Sequence, residues 1–233
     1  MTVKNPKHLL VLKNNLPYQT PLSQEYEKRI LTYDLILKQN YTNIMQLPRL
    51  DKIVLNTTSK RYVTDKKEIL FTVAALELLS GQKTQLTYAR KSVANFKIRQ
   101  DQILGCKVVL HENLMYAFLE KLSRIILPRF RDFTPKKIHT QNNLNNGLMG
   151  KRQSLKCKKF IAYTFGLKNL MLFPELENHY ELVENFRGMN LTFVFSMSHQ
   201  KNFPNKSDTL NLKKNSLEKE LALILSGFQI PLY

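Results

Sequence analysis

Apolar residues recur along this chain with two periods, one near 3.6 and one of 2, and the switches between them lay out its elements. From Ser23, the residues Tyr26, Ile30, Tyr33 and Leu37 repeat at helical spacing. Glu25 and Glu27 stand in the first turn, where the helix dipole favours acids, and the pattern predicts an amphipathic helix. Pro48 resets the chain. Residues 49–56 then alternate as a strand ending at Asn56, with Ile53 and Leu55 on one face and Lys52, Val54 and Asn56 on the other. Residues 57–64 read as a polar turn. Asp65 and Glu68 have capping-box form, and Ile69, Val73, Leu76 and Leu79 line a helix closed by Gly81.

Residues 81–110 read as two short strands joined by a long basic loop, in whose second strand Cys106, Val108 and Leu110 alternate with Lys107, Val109 and His111. The next helix has Met115, Phe118, Leu119, Leu122, Ile125 and Ile126 on its apolar face and ends at Pro128. Strand character resumes over 160–173 and an acidic patch follows. Over 189–197, Leu191, Phe193, Phe195 and Met197 oppose Asn190, Thr192, Val194 and Ser196. A terminal helix over 216–227 turns Leu217, Leu221, Ile224 and Leu225 inward. The order predicts a two-layer α+β fold, an antiparallel sheet with helices on one face and a polar face left open.

Two segments stand outside these patterns. Residues 1–21, with three prolines, read as an extended arm on a single domain over 22–233. That domain is interrupted by a polar insertion at 199–215 and a basic one at 134–159. The latter holds Lys136, Lys137, Lys151, Arg152, Lys156, Lys158 and Lys159 without an acid, and is expected to order only on a polyanion.

Charge narrows the partner. A net charge of +18 over 233 residues exceeds what solubility calls for, so a compact domain of this composition is expected to sit against nucleic acid or an anionic membrane. No apolar run of about 18 residues exists to span a bilayer, which favours nucleic acid. The first residues resemble neither a secretory signal nor an Arg-rich transit peptide, and Cys106 and Cys157 are expected as reduced thiols. The stretch 81–110 carries Lys83, Arg90, Lys91, Lys97, Arg99 and Lys107 against the single Asp101, with Tyr88 and Phe96 interleaved. Cations for phosphate and flat faces for unstacked bases are what RNA binding needs. The bland readings stay beside this one: a solvated lysine face, Phe96 pinning its loop from inside, and Asn56 and Gln82 as local turn formers.

Other chemistry finds little support. No phosphate-cradling glycine motif occurs, and His8, His111, His139, His179 and His199 share no metal-ligand spacing with the cysteines. Glu175, Glu177, Glu181 and Glu184 are the one acidic cluster, which a basic organellar RNA-processing enzyme, a maturase or nuclease, would need for magnesium. A solvated or partner-facing patch is the commoner use of such a cluster.

The segments LPRLDKIVLN, DKKEILFTVAALELLSGQK, ARKSVANFKIR, GCKVVL, MYAFLEKLSRIILPRFRDF, GLKNLMLFPEL and ENFRGMNLTFVFS, with LSGFQIPL at the end, resemble in order and spacing the universal large-subunit ribosomal protein number five. The resemblance runs from about residue 23 to 198. It implies a non-enzymatic, cofactor-free protein of the central protuberance. Its 5S ribosomal RNA contacts would fall at Asn56, Gln82, Lys83, Thr87, Arg90, Lys91 and Ser92. A hairpin tip with Asn95, Phe96, Lys97 and Arg99 would reach the elbow of peptidyl-site tRNA. Large-subunit RNA and neighbouring ribosomal proteins, including those of the small-subunit head, are the other implied partners, and no membrane is. Thr57-Thr58 replaces the family's usual Met-Gly, Tyr88 stands where arginine is common, and the basic insertion follows Asp132-Phe133 in place of a glycine-rich segment. These additions, with an AT-rich composition, resemble a mitochondrial member working on the mitochondrial ribosome in the matrix; plastid and bacterial cytoplasm are the alternatives.

Overall fold

The computed structural model describes residues 20–39, 41, 43–131, 159–185, 188–197 and 209–230, without the side chains of Lys159, Asn185, Met197 and 209–217. Residues 1–19 of the arm, most of the basic insertion and residues 199–208 lie outside the described residues, as does Cys157.

Strand β1 (Arg49–Thr58) is the middle of a five-stranded sheet, with β2 (Gln85–Tyr88), β3 (Ile103–Leu110), β4 (Lys159–Leu167) and β5 (Met189–Met197) in the order β2-β3-β1-β5-β4. Every pairing is antiparallel. Alternation along each strand sends one set of side chains inward: Ile53 faces Leu110 and Phe193, and Leu55 faces Val108 and Leu191, all nearly inaccessible. Aromatics fill the β4–β5 half, where the rings of Phe165 and Phe193 stack 5.9 Å apart. A bulge between Leu50 and Lys52 shifts the register by one, so that Leu50 is buried with Ile53 and Leu55 despite its odd spacing.

Helices cover one face of this sheet, as the alternation predicts. They are α1 (22–38), α2 (Arg61–Thr64), α3 (Glu68–Ser80), α4 (112–129), α5 (Pro174–Glu177), α6 (Tyr180–Asn185) and α7 (Thr209–Gly227). α1 joins Leu22–Tyr26 to Thr32–Lys38 through a π-helical turn, Glu27–Leu31. α4 likewise joins Glu112–Lys121 to Leu127–Arg129 through a π turn, Leu122–Ile126.

Several elements depart from the sequence pattern. The residues chosen as the apolar stripe of α1 face outward, from Tyr26 at 37% exposure to Leu37 at 82%, while Leu31 and Leu35 are buried. The helix carries apolar residues on two faces, and docking against the core selected the other. β1 continues through Thr57 to Thr58, and the expected polar turn contains the helical turn α2 with Tyr62 fully buried. No side chain caps α3, whose N-cap is Lys67, so the Asp65–Glu68 capping box does not form. Pro128 does not end α4. The π turn before it bonds the Leu127 N–H to Leu122 O, and Pro128 enters at the first turn of the last segment, where a missing N–H is tolerated. Ile125 is 38% exposed beside its buried neighbours. β4 stops at Leu167; Leu170 and Phe173 then enter the core from a turn. α7 begins at Thr209, within the stretch read as an insertion, and buries Leu221, Ile224 and Leu225 as expected.

One acid is drawn into the helix–sheet contact. Glu27 accepts hydrogen bonds from the Tyr116 hydroxyl and the backbone of Leu50, with Arg49 nearby. Burial raises its pKa above the ordinary 4.5, and the hydrogen bonds and Arg49 oppose only part of that rise. The folded chain therefore holds this proton to higher pH than the unfolded chain does. The contribution favours folding below pH 4.5 and is lost as pH rises through the elevated folded value. In urea denaturation, Glu27→Gln should gain stability relative to wild type as pH rises from 4.5 through that window, then hold a constant margin. A margin independent of pH would contradict this account.

Candidate nucleic-acid interface

The turn leading into β2 is built by the helix before it. Gly81 takes a left-handed conformation, φ 65°, which only glycine adopts without strain, and its N–H closes α3 on Glu77 O. The Ser80 hydroxyl donates to Leu76 O at 2.7 Å and accepts the Gln82 N–H at 3.2 Å. The Glu77 carboxylate accepts both the N–H and the hydroxyl of Thr84, at 3.1 and 3.2 Å. Gln82 is thus held half-buried and Lys83 exposed.

β2 pairs with β3 through Gln85–Lys107, Leu86–Cys106 and Thr87–Gly105, and a register shift follows before Tyr88–Ile103. Gly105 permits the close approach of β3 to β1, since a Cβ there would lie 2.1 Å from Thr57 O. On the inward face the Cys106 thiol is free, buried and 3.8 Å from the Thr72 hydroxyl; burial pushes its pKa up to about 11, which makes it an inert thiol. The Thr87 hydroxyl has no hydrogen-bond partner among the described residues.

The segment between the strands, expected as a loop, is an ordered extension of the hairpin. Ala89 is buried, donates to Gln102 O at 2.8 Å and accepts from the Asp101 N–H at 3.0 Å. The Gln102 side chain donates to Val63 O and accepts from the Arg99 N–H, each at 3.1 Å. Ser92 Oγ accepts from the Gln100 N–H at 3.0 Å. Val93 and Ile98 form a further antiparallel bridge, beyond which Ala94–Phe96 makes a 3₁₀ turn ending at Lys97 with φ 56°.

Arg90, Lys91, Ser92, Asn95, Phe96, Lys97 and Arg99 are all exposed. Phe96 is 62% and Tyr88 56% accessible, so Phe96 does not pin the loop from inside. Among the described residues, none of the basic side chains Lys83, Arg90, Lys91, Lys97, Arg99 and Lys107 is in an ion pair. The four ion pairs among the described residues are Arg29–Glu25, Lys121–Glu175, Arg124–Glu120 and Arg129–Glu177, all in the helical layer. The acidic patch is therefore partly spent on α4, and no group of three metal-binding side chains occurs among the described residues. No helix there is long and apolar enough to cross a membrane.

Asn56 is no turn residue. It lies inside β1 on the open face, with Lys107 of β3 on one side and Asn190 of β5 on the other. Lys107 in turn neighbours Gln85, and Asn190 neighbours Gly166. One row thus crosses the sheet, polar from Gln85 through Lys107 and Asn56 to Asn190 and ending at Gly166 on β4, and it links Asn56 to the base of the hairpin. The tip residues 95–97 project beyond the last β1–β3 pair, Thr58–Gly105, and are a separate surface. Asn190 was visible in the sequence only as a polar-face residue; its place beside Asn56 depends on strand order.

The model of the family "Ribosomal protein L5" matches residues 43–99, and the model of that ribosomal family's C-terminus matches 103–232. The protein named large ribosomal subunit protein uL5m of Prototheca wickerhamii is 38% identical over 219 residues, 93% of this chain and 86% of that protein. The uL5m of Reclinomonas americana is 35% identical over 211 residues, 91% of this chain and 97% of that one. The uL5 of Clostridium acetobutylicum is 38% identical over 173 residues, 74% and 86% of the two chains. The two family models together hold all five strands and the ordered hairpin, and the chain belongs to the ribosomal protein L5 family, a structural ribosomal protein and not an enzyme.

Proposed function

We propose that the chain works in the large subunit of a mitochondrial ribosome, where it holds 5S-type ribosomal RNA and touches the peptidyl-site tRNA. The observation that carries this reading is the exposed, cation-rich hairpin at the β2 edge of the sheet, none of whose basic side chains is in an ion pair among the described residues. Asn56, Gln82, Lys83, Thr87, Arg90, Lys91 and Ser92 form its RNA-facing base. The Ser80 hydroxyl holds the Gln82 N–H and the Ser92 hydroxyl holds the Gln100 N–H, so the backbone carrying these groups is ordered before binding. The cations supply phosphate contacts with release of counterions, and the amide and hydroxyl groups supply direction. Asn95, Phe96, Lys97 and Arg99 form the tip, which presents one aromatic face among cations to a second, transient RNA.

Large-subunit ribosomal RNA and neighbouring ribosomal proteins, among them those of the small-subunit head, complete the surroundings. The uL5m relatives, matched over nine-tenths of this chain, favour the mitochondrial ribosome over that of a plastid or a bacterium.

Three outcomes test the reading. On sucrose gradients the chain should sediment with the large subunit through moderate-salt washes; release into the soluble fraction would contradict it. Replacing Lys83, Arg90 or Lys91 with Ala should weaken binding to a 5S ribosomal RNA transcript and lower the slope of log affinity against log salt by about one per residue. An unchanged slope removes that residue from the phosphate contact. Phe96→Ala should leave this RNA affinity within about twofold of wild type yet weaken retention of peptidyl-site tRNA on assembled ribosomes, consistent with a stacking contribution of about 1–3 kcal/mol. Equal loss on both RNAs would deny the tip its separate role.

A further inference from the structure

The polar row does not stop at Asn56. Where β1, β4 and β5 end together, the surface sinks into a notch of about 310 Å³ lined by Asn56, Thr58, Gly166, Lys168, Gly188 and Asn190. The Thr57 hydroxyl, buried behind it, donates to Gly188 O at 2.9 Å and ties the end of β1 to the start of β5. Glycine keeps the notch open. A Cβ on Gly166 would lie 3.3 Å from Asn190 Oδ1, and one on Gly188 would lie 2.8 Å from Leu167 O.

Asn56 and Asn190, on neighbouring strands, are directly paired in register, with their Cα atoms about 5 Å apart by ordinary strand spacing and their carboxamides on the same face of the sheet. Neither carboxamide has a hydrogen-bond partner among the described residues. Each side-chain amide offers a donor and an acceptor side by side, the complement of a base edge. Lys168 at the rim is exposed and in no ion pair among the described residues, and can meet a phosphate. The volume sits at the low end of the roughly 300–1,000 Å³ of small-molecule sites, enough for one nucleotide-sized group. Its concave shape excludes a paired base, which keeps its edge inside a duplex, and admits one splayed out of the stack.

We infer that this notch binds a single unpaired nucleotide of the RNA held by the hairpin base, its base edge read by Asn56 and Asn190 and its phosphate met by Lys168. The inference rests on the RNA-binding reading above and extends it from phosphate attachment to recognition of one base. Asn190, Gly166 and Lys168 lie outside the residues that reading uses, so the two can fail separately.

The test uses the full chain and a 5S ribosomal RNA transcript, with affinity measured across a salt series and every base probed chemically. Asn190→Ala, on an exposed position, and Gly166→Val, on an exposed edge strand that tolerates a β-branched residue, should each weaken binding about tenfold at fixed salt. Their salt slopes should match wild type, since no charge is lost, and one nucleotide should regain base reactivity while the remaining footprint persists. Lys168→Ala should lower the slope by about one. Wild-type affinity and an unchanged footprint in all three variants would overturn the notch and leave the hairpin reading standing. Loss of the entire footprint in Asn190→Ala or Gly166→Val would also overturn it, by showing a general structural effect. Failure of the wild-type chain to bind the transcript would overturn both.

Discussion

Everything else in the molecule depends on the sheet being buried on one face only. β1, flanked by β3 and β5, gives Ile53 and Leu55 to a core with no solvent access, and that period of 2 forces Lys52, Val54 and Asn56 to the opposite side. Hydrophobic burial at roughly 25 cal/mol per Å² locks this register, because a slip of one residue would exchange the faces. The open face, with its row Gln85, Lys107, Asn56 and Asn190, is therefore held rigidly by residues that never touch a partner.

Charge follows the same division. Acids in the helical layer meet basic residues of α1 and α4 in four ion pairs among the described residues, each with a substantially exposed member and each worth little to stability in water. Their larger effect is local neutralisation. The hairpin has only Asp101 against its six cations, none of them in an ion pair among the described residues, so it presents an unneutralised positive surface at one edge of the sheet. A protein arranged this way repels itself least when a polyanion lies along that side. The hairpin is stiffened in advance by Gln102, which bonds to both Val63 and Arg99, and by the Val93–Ile98 bridge.

The residues expected to meet ribosomal RNA were legible because charge, amide and aromatic side chains cluster in one stretch of chain. Their division into base and tip was not legible from composition and came from the family resemblance. In the fold, residues 94–97 turn beyond the last pair of the sheet, apart from Asn56 in its middle strand. What was missed was missed for want of pairing. Asn190 lies 134 positions from Asn56 and becomes its neighbour only once β5 is laid against β1. Gly166 and Lys168 were hidden in a segment read as continuous strand to residue 173, whereas β4 stops at Leu167 and opens the notch there.

By itself the sequence determined the class of fold, the one-sided sheet and the basic hairpin, because strand alternation, glycine at a left-handed turn and net charge are local or additive properties; the family came from the resemblance of whole segments in order and spacing. Tertiary structure alone decided which face of α1 is buried. Tyr26, Ile30, Tyr33 and Leu37 repeat as well as Leu31 and Leu35 do, and only docking on the core distinguishes them. It also decided that α4 runs through Pro128 by way of a π turn, and that Glu27 sits under Tyr116 and not in a solvated first turn. Each is a choice between locally equal alternatives, made by contacts between residues far apart in the chain, and a periodicity carries no information about which neighbour will arrive.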